Sequence, residues 1–122
     1  METQLLGRYG VERTAAYLRR RGYKILALNY RTRFGEVDVI ASRGGYIAFV
    51  EVKLRKNADF ARDREFVTAQ KRRRIILAAE SYLQSCPTEL QPRFDVSEVY
   101  APEGTDTRRP RIQDWEDAFT AD

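Results

Sequence analysis

Residues 35–53 read GEVDVIASRGGYIAFVEVK. Two apolar runs flank the turn Ser42-Arg43-Gly44-Gly45: Val37, Val39 and Ile40 before it, and Tyr46, Ile47, Phe49, Val50 and Val52 after it. That pattern predicts a β-hairpin. Four charges interrupt it: Glu36, Asp38, Glu51 and Lys53. Side chains alternate along a strand, so Glu36 shares a face with Asp38, and Glu51 with Lys53. If Arg43 pairs with Tyr46, counting back sets Asp38 opposite Glu51 and Glu36 opposite Lys53. A one-residue slip would move the two apolar sets apart, so this register is favoured and the four charges form one patch.

Directly opposed side chains hold their Cβ atoms about 4.5–5.5 Å apart. Two carboxylates that close repel unless a proton or cation lies between them. A hard divalent ion with oxygen ligands at roughly 2.0–2.6 Å fits such a gap. Lys53 cannot bind the ion, but it can orient or help deprotonate a water, or face charge developing on a phosphate. This is equipment for metal-assisted phosphodiester hydrolysis. The competing reading is a cross-strand salt-bridge ladder on a solvated face, with Glu36 paired to Lys53.

Composition narrows the chemistry. The 122 residues suit one domain with a single core, and 43% of them are hydrophobic. There is no histidine, which excludes Ser-His-Asp and Cys-His catalysis and zinc fingers. Any metal must therefore rest mainly on carboxylates and carbonyls, which favours Mg²⁺, Mn²⁺ or Ca²⁺. One cysteine, Cys86, allows no internal disulfide and agrees with a reducing cytosol, so the expected location is cytoplasmic. No apolar run is long enough to span a membrane, and the N-terminus lacks the layout of a signal peptide. The net charge is +4, and 18 of the 22 basic residues are arginine. Arginine's planar fork suits phosphate, so nucleic acid is a reasonable partner.

Working outward along the chain, Thr3 to about Arg20 has helical periodicity, and Arg21-Gly22 ends it. YKILALNY (Tyr23 to Tyr30) is a first strand, and the hairpin supplies the second and third. Arg55 to Glu65 is a polar connection. A second helix is expected over roughly Val67 to Gln84, with Pro87 beyond its end. Arg93 to Ala101 is a fourth strand, able to pair in parallel after the helical crossover. RIQDWEDAF is expected to be a short strand leading into a last helical turn, with Trp115 and Phe119 at i,i+4. The fold class is thus α/β, a mixed central sheet flanked by helices in the order αβββαβ. The domain organisation is one domain over residues 1–122, with a C-terminal loop and short terminal element over 102–122 packed on it.

Asp38 followed by Glu51-Val52-Lys53 resembles the PD-(D/E)xK nuclease superfamily, which includes restriction enzymes and Holliday-junction resolvases. The chain is more closely similar to the YraN-like family of endonuclease-like bacterial proteins. GVERTAAYL (10–18), GYKILALNYR (22–31), GEVDVIA (35–41), FVEVKLR (49–55), VTAQKRRRI (67–75), RFDV (93–96) and DAF (117–119) carry that similarity, in the family's order. It implies a restriction-endonuclease-like fold and a metal, Mg²⁺ or Mn²⁺, on Asp38, Glu51 and the Val52 carbonyl. It implies Lys53 as the catalytic lysine and Glu12 on the first helix as an acid near the metal. The alternative for Glu12 is an exposed helix acid paired with Arg8 or Arg19.

Gln70, Lys71 and Arg74 open the second helix, whose N-terminus favours anions, and related folds turn these positions toward the scissile phosphate. Arg31, Arg33 and Arg55 flank the acidic patch and could hold neighbouring phosphates. Arg93 and Asp95 read as a structural ion pair, and Phe94, Trp115 and Phe119 as core. The expected function is a metal-dependent endonuclease-like protein acting on DNA, with a branched substrate favoured over sequence-specific reading. A homodimer, by analogy with resolvases, would carry two symmetric sites. The alternative is a nucleic-acid- or partner-binding module that keeps the fold without turnover.

Overall fold

The computed structural model describes residues 2–56 and 67–121. The polar connection expected over 55–65 lies, from residue 57 on, outside the described residues. Helix α1 spans Glu2–Arg20, and strands β1 (Lys24–Arg31), β2 (Glu36–Arg43) and β3 (Tyr46–Arg55) follow it. Helix α2 (Ala69–Ser85), strand β4 (Gln91–Tyr100), a 3-10 turn (Gly104–Asp106) and strand β5 (Arg111–Phe119) complete the order. The sheet order is β1-β2-β3-β4-β5. All neighbours are antiparallel except β3 and β4, which are parallel with α2 as their crossover. This is a single α/β domain with a five-stranded mixed sheet, and it contains the expected αβββαβ order. Among the described residues no helix is long and apolar enough to cross a membrane.

Local chemistry explains the boundaries. Gly22 takes φ +89°, and Tyr23 returns its N–H to the Leu18 carbonyl at 3.0 Å, which closes α1 with a left-handed cap. Thr68 caps α2 by accepting the Lys71 N–H at 3.2 Å, so Lys71 is fixed in the first turn. The hairpin turns where its glycines predict: Arg43 pairs with Tyr46, and Gly44 has φ +59°.

The C-terminal element departs from expectation. Residues 111–119 are strand throughout, with no closing helical turn. Phe119 stacks on Phe94 with ring centroids 5.1 Å apart, and Trp115 gives its Nε1–H to Glu98 at 2.7 Å. A lone helical turn is a weak competitor in so short a segment, and the open edge of β4 offers a full ladder of backbone partners.

Each helix covers one sheet face. Val11 and Leu18 of α1 pack with Val39, Ala41, Ala48 and Val50. Ile75, Ala78 and Ala79 of α2 pack with Ile40, Ile47, Phe49, Phe94 and Val96. A buried Thr14–Ser97 hydroxyl bond of 2.9 Å ties α1 to β4. Arg93 and Asp95 form the expected structural pair at 2.9 Å, extended by a 2.6 Å bond from Arg93 to the Tyr23 hydroxyl.

Strict alternation fails within β2. Val37 and Val39 are two residues apart, yet Val37 packs in the α2-side cluster and Val39 in the α1-side cluster. Between them stands Asp38. Across from it on β1, Asn29 takes φ +52°, a conformation asparagine tolerates, and β1 shifts register between Ile25 and Ala27. The sheet is therefore distorted at Asp38.

The β1–β2 turn also meets α2. A Cβ added to Gly35 would lie 1.9 Å from the Arg74 carbonyl oxygen, so backbone sits directly on backbone. Gly35→Ala should lower folding stability by about 2 kcal/mol or more, through forced separation of the turn from α2. Gly7→Ala, where nothing lies within 4 Å, should instead gain roughly 0.5–1 kcal/mol from helix propensity. Urea or thermal unfolding of the two variants checks the pair of opposite signs.

Candidate active site at the opening of the hairpin

The recorded β2–β3 pairing runs from Arg43↔Tyr46 to Val39↔Val50 and stops there. One step further, the N–H of Val52 donates to Asp38 Oδ2 at 2.8 Å. A carboxylate has taken the place of a β2 carbonyl. At the two ends of β3, Gly45 and Arg55 offer their carbonyls to Gln91 and Ala101, on the β4 side. Odd-numbered residues therefore turn their backbone groups to β4, and even-numbered ones to β2. The Val52 carbonyl projects the same way as its N–H, toward Asp38.

Asp38 and Glu51 meet in this opening. Burial, then the Glu51 charge and a hydrogen bond with the Glu51 carboxyl, push Asp38 up to about 7. The Val52 N–H opposes that rise without cancelling it. Glu51 is itself buried, and Lys71 Nζ lies 3.1 Å from its Oε2. Lys53 lies beside Lys71; burial and then that neighbouring amine hold it below the usual lysine range. Burial alone would lower Lys71 too, but its bonds to Lys53 and Glu51 outweigh that and keep it above the usual range. Two carboxyls and two amines thus converge, one of the amines biased toward neutrality and the other toward its charge.

The oxygen atoms suit a hard divalent ion. Asp38 and Glu51 contribute two carboxylates forced together by the fold, and the Val52 carbonyl faces the same gap. Among the described residues no three Asp, Glu or Cys side chains cluster as metal ligands, so water would complete such a shell.

The other sequence-predicted positions divide. On the α1 side, Asp38 opens into a cavity of about 660 Å³ lined by Arg8, Val11, Asn29, Arg31, Glu36 and Val52 among others. Glu12 is exposed on α1 and is not among that lining. Arg31 and Arg74 share a smaller cavity, about 310 Å³, at the β1–β2 turn. Gln70 is exposed in the first turn of α2, and Arg33 lies over the Phe34 ring at the exposed turn. Arg55 bonds Glu98 at 3.0 Å.

Glu36 is the position where hairpin counting misleads. It pairs with Arg31 at 3.2 Å, not with Lys53, because the ladder has opened before reaching it. Two features were not anticipated. Lys71 pairs with Glu51 at 3.1 Å, which depends on how α2 docks. Glu98 is a fully buried carboxylate; its parity with Phe94 and Val96 marks it as inward-facing, and that signal was available in the sequence.

The raised Asp38 pKa has a definite pH signature. The folded state keeps this proton up to about pH 7, whereas the unfolded chain releases it near pH 3.8. The stabilising contribution is full below the lower value and is lost as pH rises through the upper one. Asp114 on β5, also raised to about 7 by burial and then by the charge of Asp95, adds a parallel loss. Asp38→Asn should therefore raise the unfolding temperature at pH 8 by several degrees and change it little at pH 4. Mg²⁺ should narrow the pH 8 gap, while the benefit of Asp114→Asn at pH 8 should not depend on Mg²⁺. Thermal melts at the two pH values with and without Mg²⁺ check this.

Comparison with known proteins places the chain. The model of Uncharacterised protein family UPF0102 matches residues 11–99. A UPF0102 protein of Lachnoclostridium phytofermentans is 48% identical over 84 residues, 67% of this chain and 71% of the relative. One of Syntrophotalea carbinolica is 46% identical over 95 residues, 77% of each chain. One of Dictyoglomus turgidum is 38% identical over 106 residues, 85% of this chain and 90% of the relative. The matched span contains Asp38, Glu51, Lys53, Lys71 and Glu98, and the chain belongs to the UPF0102 family, the YraN family.

Proposed function

We propose that this protein is a divalent-metal-dependent endonuclease of the cytoplasm that hydrolyses DNA phosphodiester bonds, with branched DNA its favoured substrate. The convergence of Asp38, Glu51, Lys53 and Lys71 at the opening of the hairpin carries the reading. A salt-bridge ladder does not require two carboxyls and two amines to converge at a break in the sheet; phosphoryl chemistry uses each of these features.

Asp38, Glu51 and the Val52 carbonyl would hold Mg²⁺ or Mn²⁺. Bound there, the ion would supply Lewis-acid stabilisation of a phosphoryl oxygen and a more acidic water. Hydrolysis forms one P–O bond from water and breaks one P–O bond to the sugar. Lys53, with its amine biased toward the neutral form, would orient the attacking water and accept its proton. Lys71, held in its cationic form, would face the charge developing on the phosphate. Arg31 and Arg74, which share a cavity beside the site, would hold flanking phosphates. Glu12 stands apart from the Asp38 cavity lining and is assigned no direct step.

One observation favours a second reading. The 3.1 Å Lys71–Glu51 pair already supplies the acids with a cation from within the chain. A DNA-binding module without turnover would need nothing more.

Four-way junction, flap, duplex and single-stranded DNA incubated with Mg²⁺, Mn²⁺ or EDTA distinguish the two. The nuclease reading expects metal-dependent cleavage that EDTA stops. Lys53→Ala should slow it by roughly 10²–10⁴-fold, the usual range for losing a proton-transfer group, and Asp38→Asn and Glu51→Gln should abolish it. Cleavage indifferent to these changes would overturn the site assignment. Salt-sensitive binding with no cleavage of any substrate would establish the second reading.

A further inference from the structure

Glu98 has no part in the chemistry above, yet it is the most completely enclosed acid among the described residues, with no exposed surface. Both of its oxygens are occupied. Oε1 accepts Trp115 Nε1–H at 2.7 Å and the Tyr100 hydroxyl at 3.2 Å. Oε2 accepts Arg55 Nε–H at 3.0 Å. Burying a carboxylate is expensive, and an ion pair in a protein interior is often no more stable than apolar side chains of the same shape. Stability alone is thus a poor reason for three polar side chains to converge on one acid.

The bond to Arg55 has a directional consequence. Glu98 engages the guanidinium through Nε, the one Arg55 side-chain atom that bonds another of the described residues. The two Nη groups remain, and they form the planar fork that matches two oxygens of a phosphate. The Arg55 side chain keeps 24% of its surface exposed, whereas its partner keeps none. Position supports the same reading. Glu98 is the register partner of Lys53 in the parallel ladder. Arg55 follows Lys53 by two residues, on the same face and about 6.6 Å further along the strand. That is close to the spacing of adjacent phosphates along one nucleic-acid strand.

The geometry points to Glu98 as a positioning residue: it aims the Arg55 fork at the DNA phosphate next to the one facing Lys53, with Trp115 and Tyr100 fixing the carboxylate. This rests on the nuclease reading and adds a second phosphate subsite to it. Glu98 touches neither substrate nor the reacting atoms.

The test is the affinity of the full chain for fluorescently labelled four-way junction and duplex DNA in Ca²⁺, measured by anisotropy over a range of salt, with unfolding temperatures recorded in parallel. Arg55→Ala should weaken binding about five- to tenfold and reduce the slope of log K against log salt by about one, as expected for losing one phosphate contact. Glu98→Gln should weaken binding severalfold, and the double variant should bind no more weakly than Arg55→Ala alone. Tyr100→Phe removes one of the bonds that fix the same carboxylate and should weaken binding by less than Glu98→Gln does. Glu98→Gln at wild-type affinity, beside a weakened Arg55→Ala, would leave Glu98 purely structural and overturn the inference. Arg55→Ala at wild-type affinity would overturn the subsite itself. If Glu98→Gln does not fold, Arg55→Lys decides: it should lose affinity severalfold while keeping the salt slope, and wild-type affinity would overturn the proposal. A wild-type chain that binds none of these DNAs would take down the nuclease reading and this inference with it.

Discussion

The N–H of Val52 goes to Asp38 Oδ2 at 2.8 Å, where a continuing hairpin would give it to a β2 carbonyl. That one substitution of acceptor opens the sheet between β2 and β3. It draws the Asp38 carboxyl into the strand gap, next to Glu51, and leaves the Val52 carbonyl facing the same space. Distortion on β1 accommodates it, through the positive φ of Asn29 and the register shift between Ile25 and Ala27. A local fault in the ladder is thus where the acids meet, and the well-packed strands on either side hold it in place. Backbone irregularity next to a functional site is a common use of such faults.

Two helices then bring complementary chemistry to the two sides of that opening. Docking of α1 leaves a cavity beside Asp38 walled by Arg8 and Arg31. Docking of α2, fixed by the Thr68 cap and the close approach of Gly35 to the Arg74 carbonyl, delivers Lys71 to Glu51. Lys53 and Lys71 are neighbours with opposite tendencies, one held below the usual lysine range and one above it. Such a split between adjacent titratable groups is the arrangement acid–base chemistry uses.

Much of this was legible in residues 35–53. The Gly-Gly turn and the apolar runs set the register as far as Val39 and Val50, and extending it by one pair sets Asp38 beside Glu51 without any knowledge of the helices. The end of α1 at Gly22 and the parallel pairing of β4 were readable for similar local reasons. Three things were not. Glu36 follows strict alternation on paper, but the ladder opens before reaching it and it pairs with Arg31. Residues 111–119 carry aromatics at helical spacing, yet the open edge of β4 claims them as strand. Lys71 reads from the sequence as a cation of the second helix's start turned toward phosphate, but its contact with Glu51 depends on a backbone approach at Gly35 that no pattern of residue types announces.

The proposed cation site lies in the opened hairpin, between Asp38, Glu51 and the Val52 carbonyl. The most direct measurement is an anomalous difference map from crystals soaked in Mn²⁺. A peak is expected between the two carboxyl groups and within reach of the Val52 carbonyl, with Lys71 Nζ withdrawn from Glu51. A map with no peak there and the 3.1 Å Lys71–Glu51 pair still in place would contradict it.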